Sequence, residues 1–288
     1  MRVLMIGAHQ DDCEFCCGGF ASKLVKNGHT VKFLSMCNGS GGHHIMTPEE
    51  TTATRAKESA AVAKLLGITY DVWDVADCNL VADLPTRKRL IRYIRAFNPD
   101  LVIAHRPNDY HADHRNAALL MQDASYLLIV PHFCPDVPAM KKTPVIMYCY
   151  DGFQNPPFQA DVVVAIDDVL DRKIEMLACH ESQLFEWLPY TNGILDQVPE
   201  GREERIEWLH GPRIPRDGRF CEKDILSAKS PIDESEYREA IPAIKYRKKL
   251  IERYGEDKGR AVLFAEAFAV CEYGSPLTKE IEMEYIPL

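Results

Sequence analysis

The chain has 288 residues, 46% of them hydrophobic, enough for one large α/β domain with an elaboration around a substantial core. Its formal charge of -9, from 34 basic and 43 acidic side chains, argues against a nucleic-acid partner, because binding phosphates needs local positive charge. No apolar stretch approaches the roughly 18 residues of a membrane span, and the N-terminal apolar run is too short for a signal-peptide core, so the chain reads as soluble and cytoplasmic with no membrane partner.

The first predicted strand, 3–7, is the apolar run Val3-Leu4-Met5-Ile6 closed by Gly7. His9, Asp11 and Asp12 follow it at once, and a helix is expected over 16–27. A second strand, 30–36, leads into the glycine-rich stretch Asn38-Gly39-Ser40-Gly41-Gly42-His43-His44, which reads as a mobile substrate loop. A helix over 48–66 opens on Pro48 and places Ala53, Ala56, Ala60, Ala63 and Leu66 along one stripe, expected to be buried. Strand 70–75, helix 86–97 and strand 101–104 follow, then a strand and turn from 145 to 156, a strand over 161–167 and a helix over 168–181. Between 184 and 259 the composition turns to prolines, glycines and charges. This segment reads as an insertion that caps the crevice or makes a subunit contact, with a helix over about 234–254 kinked at Pro242. The expected fold is Rossmann-like α/β: a mostly parallel sheet flanked by helices, with the helical, turn-rich insertion near the C-terminus. The domains divide as a core over 1–183, the insertion over 184–259 and a return to the core over 260–288.

In a sheet ordered 3-2-1-4-5, strands 1 and 4 flank the crevice where such folds bind ligands. The second polar cluster, His105 through His114, follows the fourth strand and should face the first. His9, Asp12 and His114 then offer two imidazoles and one carboxylate, which leaves a tetrahedral position open for water and favours zinc over iron or manganese. Asp11 projects differently from Asp12 and can serve as general base. His111, three residues before His114, would share its helical face and could stabilise an oxyanion or protonate a leaving amine as a cation. Against this stands a plainer alternative, in which Asp11 and Asp12 are the N-cap pair of the following helix.

Ten cysteines are scattered through apolar runs and read as free buried thiols; Cys13 and Cys16 form a C-x-x-C, here read as small packing residues. The glycine fingerprint of a dinucleotide site is missing from the first turn, and no G-x-S-x-G elbow is present.

Two segments carry a family resemblance: Ile6 to Phe15 with Cys17-Gly18-Gly19, and Asp109-Tyr110-His111-Ala112-Asp113-His114-Arg115. They resemble the signature motifs of the PIG-L/LmbE-like zinc-dependent N-deacetylases. Supporting matches are Arg55-Ala56-Lys57-Glu58, Leu66-Gly67-Ile68, Asp77 with Leu80, Lys173, His180-Glu181-Ser182-Gln183 and Ala265-Glu266-Ala267-Phe268. The resemblance implies a zinc cofactor on His9, Asp12 and His114, Asp11 as base and His111 facing the oxyanion. It also implies Arg55 and Asp77 gripping sugar hydroxyls, and removal of an N-acetyl group from an N-acetylglucosamine-type sugar or conjugate. Gln10 stands where the family usually has proline, a change that removes no ligand. Other readings are a zinc deacylase of a different N-acyl conjugate and a non-catalytic Rossmann-like binding protein. A homo-oligomer is left open. Trp187, Tyr190 and Trp208 are the insertion's candidates for shaping the pocket.

Overall fold

The computed structural model describes residues 1–211 and 236–286. Seven strands form one sheet in the order β3-β2-β1-β4-β5-β7-β6: β1 (Arg2–Gly7), β2 (Thr30–Ser35), β3 (Thr69–Val72), β4 (Leu101–Ala104), β5 (Val145–Cys149), β6 (Val162–Ala165) and β7 (Ala265–Val270). The first five strands pair in parallel, and β7 enters antiparallel between β5 and β6. The strand order expected from the sequence therefore holds, with β7 and β6 added at one edge.

A parallel sheet is covered on both faces, so its central strands β4 and β5 are buried at every position, whereas β2 carries Lys32 and edge strand β3 carries Asp71. In β1, Leu4 and Ile6 join the core layer on one face with Leu34 and Val102. Val3 and Met5 join the layer on the other with Phe33, Leu101 and Ile103. The period-2 alternation of a strand produces this split. Ile6 pairs with Ala104 across β1 and β4, so the two strands end level and both polar clusters leave the sheet at the same height.

Helix α1 spans Asp12–Lys26, four residues earlier than expected, and is broken at Cys17, where φ is -151°. The break exposes the amides of Gly19 and Phe20, which donate to the Glu266 carboxylate of β7 at 2.9 and 2.7 Å. A partner nearly 250 residues away thus closes the gap. Lys173, fully buried, bridges the same carboxylate at 2.7 Å to Glu239 at 2.7 Å and donates to the Phe15 carbonyl.

Helix α2 (Pro48–Leu66) starts with the capping box of Thr47 and Glu50 and ends at Gly67. Its buried face is not the alanine stripe. Ala53, Ala56 and Ala60 are exposed, while Thr51, Arg55, Glu58, Ser59, Val62 and Leu66 point inward. Propensity and hydropathy favour alanine inside, but Glu58 accepts from the Ser182 amide and hydroxyl at 2.7 and 2.9 Å, and Arg55 bonds Gln183. Paired polar groups tolerate burial, and their pairing turns the helix.

Helices α3 (Leu84–Phe97), α4 (Ala112–Leu127) and α5 (Leu170–Leu177) complete the layers. The described parts of the 184–259 segment pack against the sheet's β6–β7 edge, with Leu184, Phe185, Leu209 and Ala240 in one apolar cluster with Ile166, Leu170 and Phe264. Pro242 lies inside the helix Glu236–Lys245, and the interruption comes four residues later at Tyr246, before the helix Arg247–Tyr254. The expected helix start at 234 and the side chain of Tyr237 lie outside the described residues. No helix among the described residues is long and apolar enough to cross a membrane. The nine described cysteines are free thiols.

Candidate metal centre and cleft

Gly7 ends β1, and a Cβ there would stand 2.7 Å from Cβ of Asp12. The missing side chain lets the chain fold back so that Asp12 sits beneath His9, with the His9 amide donating to Asp12 Oδ2 at 2.7 Å. Asp11, between them, is held at φ 116°. Neither aspartate caps α1: Asp11 occupies the cap position without a side-chain cap bond, and Asp12 turns back to His9. The capping alternative is therefore not the use this fold makes of them.

Across the crevice, His111 is the residue that caps α4, its Nδ1 accepting from the Asp113 amide at 3.1 Å. The expectation that it lies within the helix is corrected by this cap. The turn still brings it to His114 and His9, with ring centroids 5.0 and 4.7 Å away.

His9, Asp12 and His114 converge. His9 Nδ1 lies 3.3 Å from His114 Nε2 and 3.7 Å from Asp12 Oδ2, and His114 Nε2 lies 3.4 Å from Asp12 Oδ1. Zinc bonds of about 2.0–2.1 Å in a tetrahedron separate ligand atoms by roughly 3.3–3.4 Å; these side chains lie near that spacing, Asp12 meeting His9 and His114 through different oxygens, so a small turn of the carboxylate completes the fit. Two other triads share members with this one, His9 with His111 and His114, and Asp12 with His105 and His114.

The remaining polar residues orient these groups. His9 Nε2 faces Asp113 Oδ2 at 3.0 Å, and His114 Nδ1 faces Asp109 Oδ1 at 3.1 Å. His9 thus has a carboxylate hydrogen-bonded behind it, the arrangement that fixes tautomer and ring orientation in metal sites, whereas His114 Nδ1 lies near Asp109 without a hydrogen bond. His105 stacks on His114 with centroids 4.1 Å apart, and its Nε2 lies 3.1 Å from Asp12 Oδ2. These supporting roles of His105, Asp109 and Asp113 were visible in the sequence only as membership of a cluster. The D-x-H and H-x-D-H spacings could have pointed to them as partners of the histidines.

Burial pushes the Asp12 carboxyl up, but His114 and His105 outweigh it and hold it well below the usual range. His114 is raised to about 9, Asp12 and Asp109 overcoming its burial. His9 is raised because Asp113 and Asp12 overcome its desolvation. His111 is lowered by burial and by the neighbouring His9 and His114. Asp11 is raised to about 7 by burial, with Asp12 adding to the rise against the pull of Arg55, His180 and His9.

Arg55 is buried, with Nη2 bonded to the Gln10 carbonyl and 3.3 Å from Asp11 Oδ2, and Nη1 donating to Gln183 at 3.0 Å. It borders the cleft but both terminal nitrogens face the protein, so its evident task is to hold Asp11. Asp77 accepts from the Gly39 and Gly41 amides at 2.9 and 3.1 Å and shapes the glycine-rich loop. That loop approaches Arg55 so closely that a Cβ at Gly39, where φ is 81°, would stand 2.5 Å from Arg55 Cδ. The loop is also anchored outward: His43 pairs with Glu186 at 2.7 Å, and His44 stacks on Tyr190 with centroids 4.0 Å apart.

These groups line a cleft of about 650 Å³, within the range of small-molecule sites. Tyr110, Phe153, Trp187 and Leu188 contribute apolar wall. Trp208 does not reach it, packing instead with Phe185 in the apolar cluster.

Residues 4–125 match the family model described as PIG-L, GlcNAc-PI de-N-acetylase. The fold is similar to that of N,N'-diacetylchitobiose deacetylase from Pyrococcus horikoshii, with a TM-score of 0.66, 22% identity and coverage of 94% of this chain and 84% of that one. It is equally similar to 4-carboxy-2-hydroxymuconate hydratase from Pseudomonas putida KT2440, with a TM-score of 0.65, 19% identity and coverage of 93% and 95%. In sequence the chain is 25% identical over 203 residues to the 4-oxalmesaconate hydratase of Pseudomonas putida, covering 68% of this chain and 79% of that protein.

Proposed function

Residues 4–125 of this chain form a PIG-L family domain, and from that premise we propose that the protein is a zinc-dependent hydrolase. Its proposed reaction removes an N-acetyl group from an N-acetylglucosamine-type sugar or conjugate. The observation that carries this reading is the convergence of His9, Asp12 and His114 at 3.3 to 3.7 Å, at the level ends of two adjacent strands.

His9, Asp12 and His114 would hold the ion, which when bound supplies Lewis-acid polarisation of the acyl oxygen and a water of lowered pKa. Asp11, kept out of the ligand set by its own backbone conformation and held by Arg55, is the base that accepts the proton of the attacking water at its carboxylate. The proton then passes to the departing amine nitrogen, so that amine and acetate leave and Asp11 is restored. His111 donates to the developing oxyanion. Because its Nδ1 accepts a backbone N–H, its hydrogen is on Nε2, and it does this as a neutral imidazole rather than as a cation. Asp77 and the glycine loop, with Trp187 beside them, would meet the sugar.

A second reading is favoured by the hydratase relative: the same centre adds water across an activated carbon–carbon double bond of a carboxylated substrate. Arg106 in the cleft wall is already paired through two nitrogens with Asp151, at 2.7 and 2.6 Å, which argues for the amide substrate. Zinc-loaded protein assayed for acetate release across N-acetylated amino sugars, alongside loss of absorbance from an unsaturated oxo-acid, separates the two. Acetate release supports the proposal; hydration without acetate release overturns it.

A further inference from the structure

Beside the centre described above lies a second donor set that shares no ligand with it. Cys78, His111 and Asp113 offer one ligand atom each within 4.8 Å of one another. Asp113 is the fixed point, its two oxygens accepting the amides of Cys78 at 2.7 Å and Leu80 at 3.2 Å. Cys78 is exposed and the His111 side chain is about a quarter exposed, so an ion can arrive from the cleft.

We propose that Cys78, His111 and Asp113 form a second, inhibitory site for a zinc-class divalent cation. A thiolate, an imidazole and a carboxylate form a donor set that suits zinc and similar ions, and not magnesium or calcium, which take oxygen ligands. Tetrahedral ligation would draw the three ligand atoms together by about 1.5 Å at most, from within 4.8 Å toward the roughly 3.3–3.7 Å of a zinc–sulfur–nitrogen set. The two solvent-facing side chains can supply that movement while Asp113 stays anchored. Occupancy competes with the Asp113 amide for His111 Nδ1, which lies 3.9 Å from Asp113 Oδ2, and so turns the ring and its Nε2 donor away from the oxyanion; it also divides Asp113 between the second ion and His9, whose Nε2 it faces at 3.0 Å. Excess metal would therefore stop the reaction that the first equivalent supports. The binding itself does not depend on the deacetylase reading; only the inhibition does.

The experiment loads the full-length protein with one equivalent of zinc and titrates it with Co²⁺. His9, Asp12 and His114 contain no thiol, so a thiolate-to-cobalt charge-transfer band reports the second site alone. The expected result is a band that saturates with the second equivalent in the wild type and is missing in Cys78→Ser. Zinc added beyond one equivalent should then lower wild-type turnover by about tenfold or more, and Cys78→Ser turnover much less. No band in the wild type overturns the site. A band that persists in Cys78→Ser also overturns it, assigning the thiolate to Cys37, which lies with His9 and Asp77. A Cys78-dependent band without inhibition overturns the inhibitory role, and protein with no measurable turnover still reports the site through the band.

Discussion

Asp113 touches no reacting atom, yet the geometry makes it the residue on which His9 depends. Asp113→Asn keeps the volume of the side chain and one carbonyl oxygen, which can go on accepting the Cys78 amide. What changes is the charge facing His9 Nε2 at 3.0 Å: the oxygen that accepts the Cys78 amide is the one that faces His9, and it becomes a neutral amide oxygen instead of a carboxylate. The imidazole loses the charged partner that sets its Nε2–H tautomer and turns Nδ1 toward Asp12 and His114. Loss of such an orienting carboxylate lowers metal affinity by about 10–100-fold, or roughly 1.4–2.7 kcal/mol. Competition with a chromophoric zinc chelator measures that shift directly. Urea unfolding of the metal-free protein serves as control: the single amide oxygen keeps the Cys78 N–H while the NH₂ faces the Leu80 N–H, so stability should fall by about 1–3 kcal/mol with the protein still folded. Wild-type zinc affinity in a folded Asp113→Asn protein would refute the argument that Asp113 orients His9.

Asp11→Asn is expected to retain a full equivalent of zinc by elemental analysis while losing on the order of 10²-fold or more of turnover; a parallel loss of metal would exchange the roles of Asp11 and Asp12. His114→Ala removes a proposed ligand and should leave the protein largely zinc-free after dialysis, so undiminished zinc content would dismiss the triad. Trp187→Ala should raise KM for a bulky conjugate, whereas Trp208→Ala, which empties a packed site beside Phe185, should lower stability by about 3 kcal/mol with KM unchanged; reversal of the pattern would move Trp208 into the cleft. Arg95 donates to the carbonyls of Leu127, Leu128, Val130, Phe133, Cys134 and Val137, and no ammonium can match that fork, so Arg95→Lys should cost about 3 kcal/mol or more in urea unfolding. A change below about 1 kcal/mol would show that water replaces those bonds readily.

The sheet was legible because its signal is local. Runs such as Leu101 to Ala104 are short, apolar at every position and bounded by polar and turn residues, as expected of a strand covered on both faces, and strands 1 to 4 and their order followed from the sequence. The meeting of His9, Asp12 and His114 in space followed as well, since they lie just beyond strands that the topology makes neighbours. Features that depend on contacts between distant residues were not legible. Hydropathy turned α2 to its alanines, whereas Glu58 with Ser182 and Arg55 with Asp11 and Gln183 turn it to its polar side. The break at Cys17 is sustained by Glu266 in the last strand, and the separation of Trp187 in the cleft wall from Trp208 in the core arises from how 183–211 lies on the β6–β7 edge. Periodicity records which side chains want to leave water; which buried polar groups find partners is settled only when the chain brings them within 3 Å of each other.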